Sequence, residues 1–163
     1  MLTIFRLITL PFHASSQPNN SLERHILLKI KQFWSHPPSI NHWSAAESSD
    51  HCTWPEITCK ENSVTGLNLS SKDVTGKIPP FICDLKHLTI LDFSNNSIVG
   101  SFPTGLYNCI NLWHLDLSDN YFVGIIPGVV DKLSHLSFLN LGGKWETTSQ
   151  EMFQLLSGVF RSL

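Results

Sequence analysis

Leu91-Asp92-Phe93-Ser94-Asn95-Asn96-Ser97-Ile98-Val99-Gly100-Ser101-Phe102-Pro103 returns, 24 residues on, as Leu115-Asp116-Leu117-Ser118-Asp119-Asn120-Tyr121-Phe122-Val123-Gly124-Ile125-Ile126-Pro127. The same interval extends in both directions. Leu67, Leu91, Leu115 and Leu139 keep it, as do Leu69, Phe93, Leu117 and Leu141. Gly76, Gly100 and Gly124 follow, then Pro79, Pro103 and Pro127. A fixed period in this range is the mark of a solenoid, in which each turn stacks on its neighbour. Such a molecule presents an extended surface rather than a deep cleft.

The pattern inside each period is L-x-x-L-x-L-x-x-N, that of the leucine-rich repeat. It predicts an α/β solenoid with one short strand per turn, at residues 66–69, 90–93, 114–117 and 138–141. Alternation along a strand sends Leu67 and Leu69 and their equivalents inward. Ile78, Phe102 and Ile126 are expected to meet them from the opposite side. Asn96 and Asn120 occupy the asparagine position, where a buried amide satisfies backbone groups of the adjoining turn. Lys72 stands there in the first repeat, where the preceding cap is expected to compensate, and Lys144 stands there in the fourth.

Ahead of the repeats, residues 21–34 carry Leu22, Ile26, Leu27, Ile30, Phe33 and Trp34 at helical spacing. Ser21 is the expected N-cap with Glu23 in the first turn, and Pro37-Pro38 ends the helix. Trp43, Trp54 and a loop between Cys52 and Cys59 follow. A solenoid needs such a cap, because its first turn otherwise exposes an apolar face and an open sheet edge. Cys52 and Cys59 are expected to form a disulfide. Zinc held by His51, Cys52 and Cys59 with His36 or His42 is the weaker reading, because structural zinc sites favour a tighter cysteine pair. No metal or other cofactor is therefore expected. Cys83 and Cys109 lie one repeat apart but two positions out of phase, and read as buried free thiols; a bond between them is the alternative.

Leu27-Leu28-Lys29, Ile40-Asn41-His42-Trp43 and Cys52-Thr53-Trp54-Pro55-Glu56-Ile57-Thr58-Cys59 together resemble the N-terminal cap of plant leucine-rich-repeat proteins. The repeats resemble the plant extracellular class, carried by Val74-Thr75-Gly76-Lys77-Ile78-Pro79 and its two successors. The phrase Trp54-Pro55-Glu56-Ile57 is similar to the HAESA-like branch of plant receptor-like kinases. The resemblance implies a concave face that binds secreted peptides or partner proteins, and a co-receptor ectodomain as a further partner. It also implies a serine/threonine kinase elsewhere in full-length relatives, of which this sequence carries no part. A standalone inhibitor or decoy similar to polygalacturonase inhibitors is the rival reading; a truncated fragment without function is another.

The 163 residues carry a net charge of −2, which argues against nucleic acid as a partner. Neither a phosphate-binding glycine loop nor a hydrolase or metalloprotease motif occurs, so no enzyme activity is expected. Residues 1–16 read as a signal peptide, 17–63 as the cap, 64–143 as repeats and 144–163 as a divergent tail. No stretch is long and apolar enough to span a bilayer. A secreted or extracellular location follows, at the cell surface in full-length relatives, and with it glycosylation at the sequons of Asn19, Asn68 and Asn95. On the concave face the outward positions form two columns. One runs Gly66, Ile90, His114, Phe138; the other runs Asn68, Asp92, Asp116, Asn140. Ile90, Asp92, His114, Asp116, Phe138 and Asn140 are the candidate ligand-binding residues, the apolar and aromatic ones foremost.

Overall fold

The computed structural model describes residues 18–46, 49–124, 126 and 132–143. Helix α1 (Pro18–Phe33) opens it. The helix begins a turn earlier than Ser21, with Pro18 as its first residue, a position that tolerates the missing N–H. Ser21 is therefore inside the helix and not its cap. Ile26, Leu27, Ile30 and Trp34 are buried, whereas Leu22 and Phe33, expected on the same apolar side, are exposed. The Trp34 ring meets Phe93 edge-on at 5.5 Å, and its indole N–H donates to the Lys77 carbonyl at 2.8 Å. One side chain thus ties the cap to the first two repeats.

The cap also supplies a strand that the sequence did not reveal. Strand β1 (Ile57–Lys60) pairs antiparallel with β2 (Ser63–Asn68) and covers the first edge of the repeat sheet. From β2 onward the pairing is parallel, through β4 (Ile90–Asp92), β6 (His114–Asp116) and β8 (Phe138–Asn140). Between them lie β3 (Thr75–Gly76), β5 (Ser97–Gly100) and β7 (Tyr121–Phe122), which form a second, three-stranded parallel sheet. The strands end one residue earlier than the pattern suggests. The hydrogen bonding nevertheless continues, with the N–H of Leu69, Phe93 and Leu117 donating to Asp92, Asp116 and Asn140 carbonyls at 2.8–2.9 Å.

Leu67, Leu69, Leu91, Phe93, Leu115 and Leu117 are all fully buried between the two sheets, with Ile78, Phe102 and Ile126 closing the core as expected. Each such side chain contributes roughly 1.5–3 kcal/mol when removed from water. The positive φ of Gly76, Gly100 and Gly124 (91°, 103° and 84°) recurs once per turn and explains why the pattern holds glycine there.

Asn96 and Asn120 act as the pattern requires. The Asn96 amide donates to the carbonyls of Leu69 (2.7 Å), Phe93 (3.0 Å) and Ser94 (3.0 Å), while its Oδ1 accepts from the Val74 N–H at 2.9 Å. Asn120 repeats this one turn later on Phe93, Leu117, Ser118 and Ile98. Lys144 lies outside the described residues, as do the signal-peptide and tail segments.

Cys52 and Cys59 are bonded, as expected. Cys83 and Cys109 are bonded too, and the reading of them as free thiols is corrected. Cys83 lies in the short turn Ile82–Asp84, and Cys109 follows the longer turn Thr104–Asn108. The longer turn absorbs the two-residue phase difference and brings the two Cα atoms to 4.8 Å.

Candidate ligand-binding face

The parallel register places the candidate residues side by side. Gly66, Ile90, His114 and Phe138 are successive lateral partners, and so are Asn68, Asp92, Asp116 and Asn140. The two columns are therefore real, but they differ in chemistry.

The polar column is tied down. Oδ1 of Asn68, Asp92, Asp116 and Asn140 each accepts the main-chain N–H two residues on, at 2.9–3.0 Å. Asp92 and Asp116 also accept from the hydroxyls of Ser94 and Ser118, at 2.7 and 2.6 Å. The Asn140 amide donates to Asp116 Oδ2 at 3.0 Å. These side chains close the turn that leaves each strand, which is what short polar residues do well. Asp or Asn serves equally, so which of the two stands at each place in the column carries no information about a ligand.

The other column faces outward. The rings of His114 and Phe138 stack at 4.2 Å with 5° between their planes. Trp113 meets His114 edge-on at 5.5 Å. Phe138 is 39% exposed and Trp113 43%, Ile110 in the segment ahead of the strand is 64% exposed, and Ile90 is half-buried beside His114. Trp113 and Ile110 were not among the residues singled out from sequence. Their signal was available, since both place large apolar groups where the pattern carries no core position. At the cap end the column stops at Gly66 for a steric reason: a Cβ there would lie 3.0 Å from the Thr58 Cβ on β1.

Elsewhere the cap is held by two buried carboxylates. Glu56 accepts from Lys72 Nζ at 2.7 Å and from the Trp43 indole at 3.1 Å, and its Oε2 lies 2.8 Å from His42 Nε2. Burial pushes its carboxyl up, but the hydrogen bonds from Lys72, Trp43 and His42 outweigh this and hold it below the ordinary carboxylate range. Lys72, the residue in place of asparagine, is thus compensated by the cap as expected. Glu23 accepts the Val64 N–H at 2.9 Å and lies 3.7 Å from His51 Nε2. Burial lowers the His51 pKa below its ordinary value of 6.5, against the raising influence of Glu23 and Asp50. His51, Cys52 and Cys59 do converge within 4.8 Å. The two sulfurs are bonded to each other, however, and His42 is engaged by Glu56.

Asn68 and Asn95 are exposed. Asn68 turns back onto the Ser70 N–H of its own sequon, and the Asn95 amide reaches Ser71 Oγ at 2.9 Å. Asn19 falls in the first turn of α1, with its side chain outside the described residues.

Comparison with known proteins agrees with this architecture. Residues 20–60 match the leucine rich repeat N-terminal domain and residues 86–144 match the leucine rich repeat model. A chain of the BIR3–SERK2 complex from Arabidopsis thaliana superposes with a TM-score of 0.55 at 30% identity, over 72% of this chain and 79% of that one. The chain belongs to the plant leucine-rich-repeat proteins. The Arabidopsis HAESA ectodomain, in complex with an N-terminally extended IDA peptide hormone, superposes with a TM-score of 0.72 at 33% identity over 78% of this chain. Receptor-like protein 52 of Arabidopsis thaliana is 39% identical over 50% of it. This leucine-rich-repeat chain spans 22% of the HAESA chain and 10% of receptor-like protein 52. Among its described residues no helix is long and apolar enough to cross a membrane.

Proposed function

We propose that this chain is an extracellular recognition module whose concave sheet takes an extended secreted peptide or a segment of a partner protein, without catalysis. The observation that carries the reading is the exposed array of Trp113, His114 and Phe138 beside Ile90, on a rigid parallel sheet. Soluble proteins keep few contiguous apolar groups in water unless a partner covers them, and aromatic residues are the usual anchors of such contacts. Extended peptides suit extended sheets, and the similarity to a peptide-hormone receptor ectodomain favours a peptide. Of the six residues expected to bind, Ile90, His114 and Phe138 make the contact, joined by Trp113. Asp92, Asp116 and Asn140 shape the strand exits. A co-receptor ectodomain is the second partner class. The location is outside the cell, with glycans on Asn68 and Asn95, and Asn19 as a third acceptor.

The test is binding of the secreted, purified chain to a displayed library of extended peptides, followed by titration of the selected peptide. Phe138→Ala and Trp113→Ala are expected to weaken binding at least tenfold without lowering the melting temperature. Val99→Ala, on the second sheet, is expected to leave binding unchanged. Equal affinity across all three variants would remove the concave face from the reading.

A further inference from the structure

Outside the sheet, an opening beside a buried charge lies in the cap. It has a volume of about 540 Å³ and runs between α1 and the segment that follows it, lined by His25, Leu28, Lys29, Lys31, Gln32, His36, Trp43 and Ala45. That volume falls in the range of small-molecule sites, about 300–1,000 Å³. Among the described residues its lining contains two lysines and two histidines and no acidic residue.

Lys31 is the unusual member. It is only 9% exposed. Its ammonium donates to the carbonyls of Asn41 and Trp43, each at 2.9 Å. An ammonium has three donors, so one N–H remains beyond these two. More important, main-chain carbonyls supply dipoles and not a counter-charge. Among the described residues no carboxylate lies within ion-pair distance of Lys31, whereas the buried carboxylates Glu23 and Glu56 each have cationic or donor neighbours. Burying a charge without an opposite one is costly, and the cost is relieved by whatever anion can enter. Lys29, which also lines the opening, rests its ammonium 4.1 Å over the Phe81 ring and adds to the positive charge there.

We infer that this pocket is an anion site for a small hydroxylated carboxylic acid of the sugar-acid class. The carboxylate pairs with Lys31. Gln32 and the imidazoles of His25 and His36, which offer both donors and acceptors, suit hydroxyl groups. Leu28 and Trp43 form the apolar floor. The site is separate from the concave face, so it adds a second ligand to the recognition function and does not rest on the first.

The experiment is a titration of the intact chain with glucuronate and galacturonate, monitored by NMR shifts of the Lys31, Gln32 and Trp43 amides, with glucose and sodium acetate as controls. Saturable shifts with a sugar acid, absent with glucose and at least tenfold weaker with acetate, are the expected result. Gln32→Glu and His25→Glu place a carboxylate on exposed lining positions. Each is expected to weaken binding at least tenfold while the protein stays folded. Equal response to glucose, or undiminished binding in both variants, overturns the proposal. Glu47, outside the described residues, is the internal alternative as counter-charge. A loss of stability in Glu47→Gln, with no sugar-acid binding by the unmodified chain, overturns it as well.

Discussion

The ammonium of Lys72 lies 2.7 Å from Oε1 of Glu56, and this ion pair stands at the asparagine position of the first repeat. In later turns the asparagine amide gathers carbonyls from the turn before it. The first turn has no repeat before it, only the cap. A lysine there reaches back to a cap carboxylate instead, and so the joint between cap and solenoid becomes electrostatic.

That joint should weaken in acid. Glu56 titrates below the ordinary carboxylate value when folded. Its contribution is present above the unfolded value and is lost as pH falls through the lower folded value, because only the unfolded chain gains the proton readily. Glu56→Ala leaves the Trp43 indole and Lys72 unpaired and should cost about 3 kcal/mol at neutral pH. Lys72→Met should cost less, about 1 kcal/mol, since the lysine is partly solvated. Urea unfolding at neutral and acid pH measures both. A Glu56→Ala protein whose stability falls as steeply as the parent below the carboxylate range would contradict this.

His51 acts at milder acidity. Its imidazole is fully buried, its Nδ1 has no hydrogen-bond partner among the described residues, and its folded pKa lies below 6.5. As pH drops through 6.5 the unfolded chain binds a proton that the folded chain resists, so stability declines from there downward. His51→Phe is expected to flatten that part of the profile while leaving the Glu56 part intact. Thermal melts taken across the two ranges separate the two groups.

The asparagine ladder should be the most sensitive feature of the repeats. Asn96→Ala removes one acceptor and two donors that serve the main-chain groups of Val74, Leu69 and Phe93. Leaving such groups buried and unpaired should cost about 3 kcal/mol. Asn95→Ala, next to it and exposed but at a φ of 52° that suits asparagine better than alanine, should cost less, about 1 kcal/mol. If chemical unfolding gave equal losses, the ladder would not be holding the turns.

The core and the sheet were legible because period and alternation encode them directly. Leu67, Leu91 and Leu115 point inward for no reason beyond strand geometry and stacking. The two concave columns were legible for the same reason, but their chemistry was not. Asp92 and Asp116 look like exposed charge in sequence, whereas their carboxylates are folded back onto Ser94 and Ser118. Side-chain to main-chain bonds of that kind leave no periodic trace. Strand β1 was missed because a four-residue stretch running out of a disulfide loop, Ile57–Lys60, has too short a pattern to read. The pairing of Cys83 with Cys109 depends on the lengths of two turns that the repeat does not constrain.

That second disulfide gives the last prediction. It closes a loop of 26 residues, against 7 for Cys52–Cys59. Loop entropy then assigns about 3.5 kcal/mol to the longer bridge and about 2.4 kcal/mol to the shorter. The longer one also clamps the turns of successive repeats together on the side away from the concave sheet. Replacing Cys83 and Cys109 by alanine should therefore lower the melting temperature more than replacing Cys52 and Cys59. Alkylation of the unreduced, unfolded protein should modify none of the four cysteines. Modification of Cys83 and Cys109 without reduction, in protein secreted through an oxidising pathway, would return these two residues to the free-thiol reading.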